Sequence, residues 1–354
     1  MNKRIALVEL HDSHDECLLS QLYALKNAGC HVTLICTERV NARNPFFLPY
    51  VDVLETIELT GDAWGDFNKM RRLIHYFRRE KIEKVVFNTA QGGNVRNLCL
   101  LAPKEIEFIG IIHTLNKFRG SFTQRIIDRK IRKYFVLNGH FLTQIPPRKG
   151  RSVTSFYPLR FPAFQVELEK PHGELWIGVI GGVENRRKDL LGSVELIAQL
   201  PDHVKVFFLG KSDPKHENSA DFLSALAKKG MNSRVKIFDH FVAAEEFDAH
   251  LRKMDLIWTM IHPETTCAQE YFSNQIPGGL NIALAYGIPM LNHAYYVKEW
   301  EDLKYSIGYT LDTFKEDFEN GTKGIDILRS EMKSVPRFTA VFQEKSYLDL
   351  LFQH

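Results

Sequence analysis

Two glycine-rich turns hold the residues best suited to chemistry. The first is Ile180-Gly181-Gly182-Val183-Glu184-Asn185-Arg186-Arg187-Lys188-Asp189, an apolar strand running into two glycines and then three consecutive cations that open a helix. Glycine lets the backbone approach a ligand closely, and helix-start N–H groups beside Arg187 and Lys188 suit a phosphate. The second is Pro277-Gly278-Gly279-Leu280, which opens a short helix of small and apolar residues that stops at Gly287. Its first N–H groups suit a second phosphate. Each turn also has a plainer explanation: a tight turn with exposed cations for the first, a core helix with glycines for close packing for the second. The pairing of the two favours phosphate. Neither matches the P-loop or the G-x-G-x-x-G pattern.

A third set follows strands of the first half. His11, Asp12, His14 and Asp15 come directly after the first strand, and His113 after the fifth. An imidazole at a strand end can act as a base or hydrogen-bond donor near neutral pH, or simply pack there. His113, Asp12 and His14 are the candidate catalytic groups. Their spacing is weak for a metal set, so no metal is expected. Thr89-Ala-Gln-Gly-Gly93 reads as a turn, with an acceptor-side role as its alternative. Glu264 and Glu270 lie in the segment before Pro277, as surface carboxylates or as groups that bind a sugar hydroxyl or ribose.

These residues need elements to place them, and the chain alternates strands and helices twice over. Strands are expected at Arg4–Val8, His31–Cys36, Val51–Leu59, Lys84–Asn88, Phe108–His113 and Tyr134–Leu137, with helices near Asp15–Ala28, Asp66–Glu80, Asn94–Leu101 and Phe122–Arg132. After Tyr157–Gly173, with Pro158, Pro162 and Pro171, the pattern restarts. Strands follow at Glu174–Ile180, Val204–Leu209, Arg234–Phe238, Asp255–Met260 and Ile288–Leu291. Strands separated by helices of this length mean βαβ units and parallel sheets. The expected organisation is an N-terminal domain over 1–157, a linker over 158–173, a C-terminal domain over 174–330 and a C-terminal helix over 331–354. In doubly wound sheets ligands sit at the carboxyl ends of strands, and two such domains facing each other make a cleft.

Composition narrows the class. The chain has 354 residues, 44% hydrophobic and 25% charged, which suits two globular domains rather than disorder or a coiled coil. Its five cysteines include no C-x-x-C, so a disulfide framework is not expected and a reducing cytoplasm is. No apolar run approaches membrane-spanning length, and the N-terminus reads as a first strand rather than a signal peptide. The net charge of +3 hides an asymmetry: residues 1–165 carry 25 Lys+Arg against 15 Asp+Glu, the remainder 21 against 28. The cations cluster at Arg71, Arg72, Arg78, Arg79, Lys81 and Lys84, and again from Lys117 to Lys133 around a lone Asp128. They form either a solvated helix face or a surface for an anionic membrane or phosphate-bearing acceptor. No nucleic-acid motif accompanies them, so nucleic acid is not an expected partner.

On these residues the chain resembles the GT-B glycosyltransferases, and its second half is similar to the nucleotide-sugar enzymes of glycosyltransferase family four. The resemblance runs through Gly181-Gly182, Arg187-Lys188, Val206–Gly210, Asp255–Trp258 and Ala283–Pro289. It implies two Rossmann-like doubly wound parallel-sheet α/β domains facing a cleft. It also implies transfer of a sugar from a nucleotide-diphosphate donor to a glycan or lipid-linked acceptor hydroxyl, without a cofactor, in the cytoplasm or at the inner face of the membrane. By resemblance Lys188 holds the donor diphosphate with Arg187 beside it, Gly278, Gly279 and Leu280 meet the phosphates, and His113 lies near the sugar. The family's first phosphate-binding arginine falls here on Gly182, and its two acidic residues fall on Asn274 and Ile282. Glu264 or Glu270 would then replace that pair. The alternatives on this fold are a nucleotide-sugar epimerase and a catalytically silent binding protein.

Overall fold

The structure is a computed structural model and describes residues 3–184, 188–212, 217–266 and 268–353, with the side chains of 217, 218 and 272 left undescribed. The chain forms two compact units. Residues 1–161 with 340–354 make the first, and 162–339 the second.

The first unit is built on seven strands: β1 (Arg4–Val8), β2 (His31–Cys36), β3 (Val53–Thr56), β4 (Lys84–Phe87), β5 (Glu107–Ile112), β6 (Lys133–Val136) and β7 (Ser152–Ser155). All pair in parallel, in the order β3-β2-β1-β4-β5-β6-β7. Ile5 lies opposite both Val32 and Lys84, so the strand order reverses at β1 and β4. Parallel sheets covered on both faces need strands that are apolar throughout, and Ile5, Ala6, Leu7 and Val8 are all buried. Strand β3 is shorter than the expected Val51–Leu59, and β7 is an unexpected strand, being only the four residues Ser-Val-Thr-Ser.

The single helix expected over 331–354 is two. One spans Ile325–Ser334 and the other Ala340–Phe352. Pro336 separates them: it has no N–H to extend the first helix and pushes Val335 to an extended conformation (φ −79°, ψ 113°). The last helix belongs to the first unit. Tyr347 stacks on Phe135 with ring centroids 4.8 Å apart, and the Gln343 side chain accepts the Tyr157 N–H at 2.9 Å.

The second unit repeats the plan with β8 (Leu175–Ile180), β9 (Val204–Lys211), β10 (Val235–Phe238), β11 (Leu256–Trp258), β12 (Met290–His293) and β13 (Ser306–Tyr309). Their order is β10-β9-β8-β11-β12-β13, again all parallel, and the reversal falls at β8 and β11. Trp258, Phe208, Tyr309 and Phe314 fill the core. Helices Ala268–Ser273 and Ala294–Glu299 occupy stretches without a clear sequence period. No described helix is long and apolar enough to cross a membrane.

Candidate functional site

In the second unit the two glycine-rich turns meet. Gly181 ends β8 with φ 87°, a left-handed conformation that suits glycine, and Gly210 at the end of β9 lies against it. Gly279 starts the helix Gly279–Tyr286, and a Cβ there would sit 3.2 Å from Ile257 of β11. A cavity of about 110 Å³ opens between these turns, lined by Gly181, Gly182, Lys188, Thr259, Tyr271, Gly278 and Gly279 among others. It sits at the carboxyl ends of β8 and β11, where the strand order reverses. Lys188 is buried, and its ammonium donates to the Gly182 carbonyl at 2.9 Å.

The cavity therefore gathers Gly181, Gly182, Lys188, Gly278 and Gly279. Leu280 is buried and does not line it, and its N–H is already given to the Pro277 carbonyl at 3.0 Å. Arg187 lies outside the described residues. Glu264 stands on an exposed turn and Glu270 on an exposed face of Ala268–Ser273, neither in the cavity lining. That helix brings Tyr271 there instead.

A polar chain is bonded to the cavity walls. Asp189 caps the helix Leu190–Gln199 by accepting the Gly192 N–H at 2.9 Å. Its other oxygen meets His262 Nδ1 at 2.8 Å, and His262 Nε2 meets the Tyr309 hydroxyl at 2.8 Å. The His262 hydrogen bond, and a smaller contribution from the Gly192 N–H, hold the Asp189 carboxyl below its ordinary range against the opposing effect of burial.

In the first unit the carboxyl ends of β1, β4 and β5 converge on Glu9. This carboxylate is fully buried, and accepts from Asn88 Nδ2 at 2.6 Å, Thr89 Oγ1 at 2.6 Å and the His11 N–H at 2.8 Å. Asn88 also donates to the His14 carbonyl at 2.8 Å and accepts from Gln21 at 2.6 Å. His113 Nε2 lies 2.7 Å from the Asn88 carbonyl, which can only accept, so Nε2 carries the hydrogen.

The rings of His14 and His113 stack, 3.8 Å between centroids. Burial, with the His14 charge behind it, pushes His113 down to about 4. Burial also lowers His14, but the hydrogen bond and charge of Glu16, with Glu9 and Asp15, outweigh it and raise His14 above its ordinary value. One ring is thus held neutral with its lone pair on Nδ1, and the other favours the cation. Asp12 stands apart from this pair. It accepts from Thr37 Oγ1 at 2.6 Å and faces Arg39 at 3.6 Å. Among the described residues no three His, Cys, Asp or Glu side chains converge as a metal set.

Two doubly wound parallel-sheet domains in one chain define the GT-B fold, and solved structures of that fold match along the whole length. A glycosyltransferase of Rickettsia africae is 11% identical over 100% of both chains, with a TM-score of 0.66. HepE of Anabaena, solved with UDP-glucose, is 14% identical over 98% of this chain and 99% of its own, with a TM-score of 0.66. A Listeria monocytogenes protein assigned as a UDP-N-acetylglucosamine 2-epimerase is 12% identical over 99% and 96%, with a TM-score of 0.65. At these identities the likeness is one of fold. No protein-family model matches the chain, and no curated protein sequence matches it.

Proposed function

We propose that this protein is a glycosyltransferase that moves a sugar from a nucleotide-diphosphate donor to a glycan or lipid-linked hydroxyl. The observation that carries the reading is the cavity at the β8/β11 reversal, where Lys188 and two glycine turns offer a cation and close backbone to a diphosphate. The Anabaena neighbour was solved with UDP-glucose, which supports a uridine donor.

Breaking the sugar–phosphate bond builds negative charge on the departing diphosphate. Lys188 and the start of the helix Gly279–Tyr286 stabilise that charge, so turnover in the presence of a chelator is expected. The acceptor hydroxyl gives its proton either to the leaving phosphate, with retention, or to a base, with inversion. A neutral His113 with its lone pair on Nδ1 favours the second route. The exposed cations of the first unit favour an acceptor at an anionic membrane face, which would place the protein in the cytoplasm, peripheral on the inner leaflet.

The test is a thermal-shift panel of UDP, GDP, CMP, ADP and dTDP, with and without Mg²⁺, on wild type and K188A. A ligand at 100 times its Kd stabilises by about 2.7 kcal/mol, a visible shift. A shift with one nucleotide, kept in chelator and absent in K188A, is expected. No shift with any of them at millimolar concentration would sink the reading. The fold similarity to the Listeria protein supports epimerisation as a second reading, which predicts donor conversion without acceptor. Binding without any turnover would mark a silent homologue.

A further inference from the structure

His262 is fully bonded, nearly inaccessible and unused by the reaction above. Its ring is 1% exposed, between Asp189 Oδ2 and Tyr309 Oη, each at 2.8 Å. Trp258 Nε1 also donates to Tyr309 Oη, at 2.9 Å. An indole nitrogen only donates, so with a neutral imidazole the hydrogens run in one direction: Trp258 to Tyr309, Tyr309 to His262 Nε2, and His262 Nδ1 to Asp189. Each donor has an acceptor, and the series ends on a carboxylate that also caps a helix.

The place of this chain matters more than its completeness. Asp189 follows Lys188 directly, while Thr259 and Ile261 of the turn leading to His262 line the same cavity as Lys188. Between them Met260 takes φ 53°, a left-handed conformation costly for a residue with a side chain, and its carbonyl accepts the Asp189 N–H at 2.9 Å. One backbone bond and one side-chain bond therefore fasten the turn after β11 to the residue beside Lys188. Without the imidazole, Asp189 would keep only the Gly192 N–H on Oδ1, and its Oδ2 would lose the donor that ties it to the turn at 259–262.

We infer that His262 is the positioning residue of this cavity: through Asp189 it holds Lys188 and the turn at 259–262 in the arrangement that receives a diphosphate. The inference rests on the donor-site reading above and places His262 outside contact with the ligand.

Titration calorimetry with UDP on the full chain tests it, with amide hydrogen exchange as the second readout. H262A should weaken UDP binding at least tenfold. H262N, whose amide can still donate to Asp189, should recover most of the loss, and Y309F should cost only a few-fold. R234M is the control. It breaks bonds to the Leu200 and Pro201 carbonyls at the amino ends of the strands, and should lower Tm with wild-type affinity. H262A within twofold of wild type would overturn the inference. So would H262N no better than H262A together with R234M equally weakened, which would mark a general loss of stability. If wild type binds no nucleoside diphosphate, the donor reading fails first. Exchange at 188–192 and 259–262 then decides the positioning role: faster exchange in H262A upholds it, and unchanged exchange overturns it.

Discussion

His14 and His113 face each other ring to ring, 3.8 Å apart with 21° between their planes, and only one of them can comfortably become a cation. Glu16 favours the cation on His14, while burial keeps His113 neutral down to about 4. If His113 is the base, acidification through pH 6.5 should leave kcat/KM unchanged, because the base form is already present there. As pH rises through the raised value of His14 its charge disappears, His113 becomes the stronger base, and kcat/KM should hold or rise. H113A should lower kcat by about 10²–10⁴-fold. H14N should remove that pH dependence while keeping the fold, since asparagine tolerates the left-handed backbone that His14 adopts (φ 67°). An acid limb near pH 6.5 in wild type would contradict the assignment.

The same ring affects stability, with a definite sign. His113 titrates near 6.5 when unfolded and near 4 when folded. Between those values the unfolded chain binds more protons, so stability falls as pH falls through that window. The full effect is about 3 kcal/mol at most. His14 acts in the opposite sense: its contribution is complete below 6.5 and is lost as pH rises through its higher folded value. Urea unfolding across pH 4–7 should show a smaller slope in H113Q than in wild type. Equal slopes would place the His113 ring in a more solvated setting than the structure describes.

Gly210 offers a test of the cavity that touches no charged group. A Cβ there would stand 2.4 Å from the Gly181 carbonyl carbon and 2.8 Å from the Gly182 nitrogen, so G210A must displace the turn that lines the cavity. Overpacking of this kind costs about 1–3 kcal/mol. The comparison is G230A, where φ is +67° but nothing lies within 4 Å of the added carbon. Backbone strain alone costs that variant about 1–2 kcal/mol. Both should melt earlier, but only G210A should lose UDP binding. Equal affinity in the two would mean that the turn at Gly181-Gly182 does not contact the nucleotide.

The fold was largely legible in the residues, and the site only in part. Strands such as β1 and β5 announce themselves because a parallel strand buried on both faces must be apolar throughout. Strands β7 and β13 do not, since four residues with polar neighbours hold too little period to separate from a loop. The glycines and Lys188 were visible because their requirement is local. Glu9 was not, because its meaning comes from Asn88 and Thr89, 79 and 80 positions away. His262 was equally hidden, its partners lying 73 and 47 positions off. Asp128 shows the reverse error. It looks like an offset to the surrounding cations, yet it is buried and paired to Arg148 at 2.6 Å, outside the Lys117–Lys133 run, so it leaves the exposed charge of that run undiminished.

That undiminished charge leads to the membrane prediction. Lys117, Arg119, Arg125, Arg129 and Arg132 are exposed, as are Arg71, Arg72, Arg78 and Arg79 on the helix Ala63–Arg79. Arg71, Arg72 and Arg79 also line an open groove of about 830 Å³ with Ile57 and Tyr76. Two large apolar side chains stand out nearby in the sequence: Trp64 is 75% exposed and Phe122 73% exposed. Each lies in the first turn of a helix that follows a parallel strand, so both belong to the carboxyl edge of the first sheet, the edge that holds His14 and His113. Cations that attract anionic headgroups and aromatic rings that enter the interface are the two signals a peripheral membrane contact needs. The protein should sediment with phosphatidylglycerol vesicles and not with phosphatidylcholine ones, and binding should fall steadily with salt. W64S and F122S should each weaken binding several-fold while keeping the salt dependence, whereas R71Q/R72Q should reduce the dependence itself. Trp64 emission should shift to the blue on binding. Sedimentation that is absent, or indifferent to both salt and lipid charge, would leave the cations as a solvated face.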